Sequence, residues 1–224
     1  MAQAPGTRTD PGSAPLLVAC ALGIEHFALR SGGGRTLRQA GGAVSVLRTG
    51  MGPRAAERAV ERALRTAPPT TAVLATGFCA GLVPGMHPGD LVVAERTEDA
   101  AGSTSCSATA ALAAALARAI PGRTVHTGVL AGSDHVVRGP ERATLRGTGA
   151  VAVDMESAAT LRTARAQSTT ATRPVAAVRV VVDAPEHELV RIGTVSGGIS
   201  AFRVLRAVLP AFSEWHRTFL LPRR

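Results

Sequence analysis

Short apolar runs alternate with stretches of helical spacing along most of the chain. Leu16 to Ala21 is apolar and stops at Gly23, and Glu25 to Arg30 then has helical spacing. Val44 to Leu47 is apolar and ends at Gly50-Met51-Gly52-Pro53. Proline suits the first turn of a helix, and Arg54 to Thr66 puts Ala55, Ala59, Val60 and Leu64 on one stripe. Further strands are expected at Ala72 to Ala75, broken by Gly77, and at Leu91 to Ala94 after Pro88-Gly89-Asp90. Thr124 to Leu130, Ala150 to Val153 and Pro174 to Val182 read as strands too, the last broken at Asp183-Ala184-Pro185. Helices are expected at Ala108 to Ala119, Pro140 to Leu145, Met155 to Ala166 and Ile199 to Phe219, the last interrupted near Pro210.

Strands alternating with helices predict an α/β fold: a three-layer α/β/α sandwich around a mixed, largely parallel central sheet. No internal repeat or second domain is visible. Residues 15–224 read as one domain behind a tail, residues 1–14, rich in Ala, Pro, Gly and Thr and expected to be disordered. Aromatic residues make up only 3% of a chain that is 46% hydrophobic, so the core must be built from Ala, Val and Leu. Such strands suit burial by helices on both faces.

The net charge of +9 raises nucleic acid or an anionic surface as partners. The cations are all Arg, scattered along the chain without interleaved aromatics, which argues against a nucleic-acid groove. Cys20, Cys79 and Cys106 are odd in number and far apart, so neither a disulfide framework nor a metal site is expected. The N-terminus lacks the apolar core of a signal peptide, and no apolar run is long enough to span a bilayer. A cytoplasmic protein is expected.

In such sheets ligands bind at the carboxyl ends of strands. Glu25, Asp134, Asp154, Glu156 and Asp183 fall there, and buried carboxylates need partners.

Four segments together resemble the nucleoside phosphorylase and nucleosidase superfamily. Val151-Ala152-Val153-Asp154-Met155-Glu156-Ser157-Ala158-Ala159 is similar to the (E/D)-M-E-(A/S)-A signature of methylthioadenosine/adenosylhomocysteine nucleosidases. Thr76-Gly77-Phe78-Cys79-Ala80-Gly81-Leu82, followed by Pro88-Gly89-Asp90-Leu91-Val92, resembles that family's glycine loop and next strand. Gly50-Met51-Gly52-Pro53 is similar to its G-x-G turn, and Arg179-Val180-Val181-Val182-Asp183 to its R-x-x-S-D. Within the superfamily, the hopanoid-associated group combines G-M-G-P, D-M-E-S and R-V-x-x-D-x-x-x-x-x-L, the last running here to Leu189.

The resemblance implies cleavage of a purine nucleoside's N-ribosyl bond, releasing adenine from a 5′-substituted adenosine such as adenosylhopane. It implies Asp183 as the general acid that protonates N7 of the purine. The alternative is a helix N-cap. It implies Glu156 as the ligand of the ribose hydroxyls, with Met155 against the sugar; the alternative is a surface Glu in a first helical turn. Glu25 would activate water, or be an exposed helical Glu. Arg179 would brace a carboxylate near the site, or form an ion pair at a strand edge. Phe78, Cys79, Ala80, Val136 and Val137 would line the base and ribose pocket. Leu22 and Met51 would line an apolar 5′ pocket. For these apolar residues the alternative is core packing. Two positions depart from the family pattern: Val182 replaces a Ser before the acid, and Val136 an aromatic that stacks on the base. They leave room for a nucleoside-binding protein with weak catalysis.

Phosphorolysis, with inorganic phosphate as co-substrate, is the close alternative to water attack. The positions that bind phosphate in the hexameric purine nucleoside phosphorylases are Ala75 and Phe78 here, while Arg48 and Arg54 stand near the Gly50 turn. No cofactor and no metal are implied, and a homo-oligomer is expected. Phe212, Trp215, Phe219, Leu220 and Leu221, with Arg217, Arg223 and Arg224, could form a transient membrane contact. A helix packed on the sheet or on a second subunit is the alternative.

Overall fold

The computed structural model describes residues 14–40, 43–168, 172–184 and 194–220, with the backbone alone for 194–197. The chain begins with β1 (Leu16–Cys20), α1 (Gly23–Gly32), α2 (Gly34–Gln39), β2 (Val44–Arg48) and α3 (Pro53–Arg65). Next come β3 (Ala72–Gly81), β4 (Leu91–Asp99), β5 (Gly102–Ser105), α4 (Thr109–Ala119) and β6 (Val125–Gly132). α5 (Pro140–Gly147), β7 (Ala150–Asp154), α6 (Ser157–Ala166) and β8 (Val175–Asp183) follow. α7 (Thr194–Ala207) and α8 (Leu209–Arg217) close the chain. Residues 1–13, Leu189 and the last four residues lie outside the described residues, and with them most of the expected tail.

The sheet is mixed. β2, β1 and β3 run parallel, and β3 pairs parallel with β8. β4 runs antiparallel to β8 and β5 and parallel to β6, which is parallel to β7. A short antiparallel contact, Ala80↔Val153 and Gly81↔Ala152, joins β7 back to β3. The pairings β3–β8–β4–β6–β7–β3 therefore form a closed ring.

Alternate residues of the central strands feed two cores. Leu74, Val93 and Val178 pack with Leu29 of α1, Leu116 of α4, Leu205 of α7 and Phe212 of α8. Val73, Val92 and Ala177 pack on the other side with Val60 and Leu64 of α3 and Leu161 of α6. Burial on both faces explains why these strands read as unbroken apolar runs.

Two local expectations are corrected. The buried stripe of α3 is Ala56, Val60 and Leu64, spaced i, i+4, rather than one that includes Ala55 and Ala59. β3 runs through Gly77 instead of ending there. The closing helix breaks near Pro210, where expected: α7 ends at Ala207 and Pro210 lies in the first turn of α8. Phe212 and Trp215 are buried, and the Trp215 indole N–H donates to Ser107 O at 2.9 Å. They are core residues of α8, unavailable to a membrane. No helix among the described residues is long and apolar enough to cross one.

Candidate active site

The ring closure decides which residues meet. β3 register sets Ala80 opposite Val153 of β7 and opposite Asp183 of β8, with a bulge between Cys79 and Ala80. The ends of β3, β7 and β8 thus face one cavity of about 200 Å³. Glu25, Glu156 and Asp183 all line it, as do Leu22, Met51, Phe78, Cys79, Ala80, Val136, Val137 and Met155.

Glu25 sits in the first turn of α1 yet is 2% exposed, so it is no surface glutamate. Its Oε2 accepts the backbone N–H groups of Ala21 (2.9 Å) and Leu22 (2.8 Å), and its Oε1 that of Phe78 (2.8 Å). A carboxylate offers about four acceptor positions, and these N–H groups take three of them. Gly77 makes this approach possible. A Cβ there would fall within contact distance of Glu25 Oε1 and Arg179 Nη1. A glycine that reads as a strand stop is instead the gap into which two charged side chains fit.

Glu156 is the residue before α6, not part of its first turn. Its Oε1 accepts the N–H of Gly52 at 2.8 Å. Gly52 has φ +88°, a conformation open to glycine, and Pro53 starts α3 directly after it. The Gly-Met-Gly-Pro turn therefore aims one backbone donor at Glu156. Burial, together with the charges of Asp154 and Glu25, pushes the Glu156 carboxyl above the usual glutamate range, against the pull of Arg179 and the Gly52 N–H.

Arg179 joins the two motifs. It is 1% exposed and ion-pairs with Asp154 through Nη2. Its Nε donates to Ser157 Oγ at 2.9 Å, its Nη1 to Thr76 O at 3.0 Å, and Glu156 Oε2 lies 3.8 Å away. Asp154 also accepts the Ser157 N–H at 3.0 Å. Arg179 does not line the cavity. Buried in mid-strand, it braces Asp154 and Glu156 from behind the cavity, and it is no edge ion pair.

Asp183 ends β8, and residues 185–193, where a helix that it could cap would begin, lie outside the described residues. Its Oδ2 ion-pairs with Arg142 of α5, and its Oδ1 has no hydrogen-bond partner among the described residues. Arg142 carries no sequence signal, since its partner lies on a distant element. His135 is a second missed lining residue, although it stands beside the singled-out Val136. Its Nδ1 lies 2.7 Å from Asp134 and its Nε2 3.0 Å from Glu141, and both contacts raise its pKa. Cys79 lines the cavity, but burial drives its thiol far above the ordinary range, which suits packing rather than nucleophilic attack.

The two arginines near the Gly50 turn lie in other clefts. Arg48 lines one and Arg54 the other, and neither lines the cavity itself. Among the described residues, no group of three or more His, Cys, Asp or Glu could hold a metal ion.

Residues 8–209 match the family model for the phosphorylase superfamily. The chain belongs to that superfamily. Membership makes it an enzyme of the nucleosidase or phosphorylase class. No curated protein matches the sequence. Solved structures share the superfamily fold. One is the 5′-methylthioadenosine/S-adenosylhomocysteine nucleosidase of Neisseria meningitidis in complex with methylthio-immucillin-A. It has a TM-score of 0.72 and 20% identity, over 90% of this chain and 99% of that one. A second is the Helicobacter pylori nucleosidase of the same name, with a TM-score of 0.71 and 16% identity over 91% and 99%. A third is a futalosine hydrolase mutant from Helicobacter pylori, with a TM-score of 0.70 and 16% identity over 90% and 99%.

Proposed function

We propose that this enzyme hydrolyses the N-ribosyl bond of a purine nucleoside with an apolar 5′ group, releasing adenine. Adenosylhopane, in hopanoid side-chain synthesis, is the substrate to which the sequence resemblance leads. One observation carries the reading: Glu25, Glu156 and Asp183 converge on a single cavity at the ends of the strands. The solved nucleosidases that share the fold support the same chemistry.

In this reading Glu25 holds a water on its remaining acceptor position and takes its proton as the oxygen attacks C1′. The C1′–N9 bond breaks, its electron pair passes to the purine, and Asp183, in its protonated form, supplies a proton to N7. Glu156 accepts the ribose hydroxyls, and its charge favours the oxocarbenium-like transition state. Leu22 and Met51 meet the 5′ group, Met155 the sugar, and Val136 and Val137 the base. The reaction takes no cofactor and no metal.

Water is favoured over phosphate by the lining. Its cationic groups are Arg142, engaged by Asp183, and His135, engaged by Asp134 and Glu141. Glu25 adds an anion where phosphate would sit.

The test is single-turnover incubation with 5′-methylthioadenosine and with an adenosine bearing a longer 5′ alkyl group, counting adenine and ribose products. Free adenine with a reducing sugar, independent of phosphate, is expected. Asp183→Asn should lower kcat by on the order of a hundredfold or more. Adenine release at the wild-type rate by that variant rejects the acid role, and release that consumes phosphate replaces hydrolysis by phosphorolysis.

A further inference from the structure

The large apolar side chains that remain exposed are grouped. Among the described residues, Leu22, Met51 and Val136 are exposed at the cavity and Ile24, Phe27 and Ile199 on the adjoining α1 and α7. Phe27 is 63% exposed and Ile24 55%. Three residues apart, they share one side of α1. On α7, Ile199, Phe202, Arg203 and Arg206 fall at i, i+3, i+4 and i+7, a single stripe.

The two stripes lie side by side. The Phe27 and Phe202 rings stack with centroids 6.3 Å apart. Further along, Gly32 of α1 abuts the backbone of Arg206. Contacts in that order mean that α1 and α7 run in the same direction. The joint face is therefore graded. Its apolar end lies beside Leu22 and the cavity mouth. Its far end carries Arg30, Arg203 and Arg206, all exposed, with no ion-pair partner among the described residues.

A contiguous exposed apolar patch rimmed by cations is a docking feature rather than ordinary surface. We propose that the outer face of α1 and α7 docks on an anionic lipid bilayer. The apolar end enters the interface at the cavity mouth, and the arginines lie among the phosphate headgroups. Charge decides for this occupant over a second copy of the chain. The net charge is +9, and pairing two copies here would bring unbalanced arginines together. The consequence for catalysis rests on the function proposed above. A cavity of about 200 Å³ is too small to enclose a long 5′ tail beside a nucleoside. Such a tail leaves by the apolar rim, and docking lets it stay in lipid while the nucleoside head enters.

The experiment is flotation with phosphatidylcholine vesicles and with vesicles of phosphatidylcholine mixed with phosphatidylglycerol. Two variants accompany the wild type: Ile24→Ser with Phe27→Ser, and Arg30→Gln with Arg203→Gln and Arg206→Gln. The wild type is expected to float with the anionic vesicles only, and less so at high salt. The arginine variant should bind on the order of a hundredfold more weakly, and the serine variant should lose binding at low salt too. Both should keep the wild-type circular dichroism and rate on 5′-methylthioadenosine. Absence of binding, or equal binding by both variants, overturns the proposal. So does light scattering that shows a dimer dissociated by the serine variant while vesicle binding is unchanged. Cleavage without vesicle binding removes this inference alone, whereas vesicle binding without cleavage of any nucleoside removes the functional reading and leaves the docking surface.

Discussion

The two sides of the cavity hold their carboxylates by different means. On the sugar side, Glu25 and Glu156 are held by backbone N–H groups from the turn between β1 and α1, from β3 and from the Gly-Met-Gly-Pro turn, with Arg179 buried behind. On the base side, Asp183 is held by one side chain, Arg142, delivered by α5. Backbone donors are fixed by the sheet and turns that carry them. A side-chain donor is fixed only as well as its helix. The sugar side is thus pre-organised by the fold, and the base side depends on one residue that substitution can remove.

The largest break is expected from Arg179→Met. It leaves Asp154 charged and unpaired in the interior, and such losses cost about 3–5 kcal/mol. Urea unfolding should show it, and stability within about 1 kcal/mol of wild type would mean that the sugar side does not need its brace. Arg142→Ala acts on the other side. It frees Asp183 to move, and a misplaced catalytic group costs up to about a hundredfold in rate. We expect kcat to fall by about ten- to a hundredfold with KM for the nucleoside little changed. A rise in KM alone would make Arg142 a binding residue instead.

The pH profile sharpens the contrast. Glu156 must be ionised to hold the ribose, so activity is present above its pKa and is lost as pH falls through it. Because that pKa is raised, the acid limb of kcat/KM should lie above about 4.3, the ordinary glutamate value. A limb at or below that value would sever it from Glu156. The smallest effect is expected from Gly52→Ala. An L residue at that φ and ψ, a region essentially confined to glycine, costs about 1–3 kcal/mol. The displaced N–H would no longer lower the Glu156 pKa, so the acid limb should move to higher pH. An unchanged limb would show that the turn does not tune the carboxylate.

The sequence by itself determined the alternation of strands and helices, the two-faced burial of the strands, and the short motifs around Gly52, Gly77, Glu156 and Asp183. These are local: apolar periodicity, glycine positions and residue spacing need no knowledge of what lies opposite. It could not reveal that β7 closes back onto β3, or that Gly77 is open for Glu25. The Arg142–Asp183 pair and the shared face of α1 and α7 were equally out of reach. Each joins segments far apart in the chain, and strand register and helix packing, not the residues on either side, decide which of them meet.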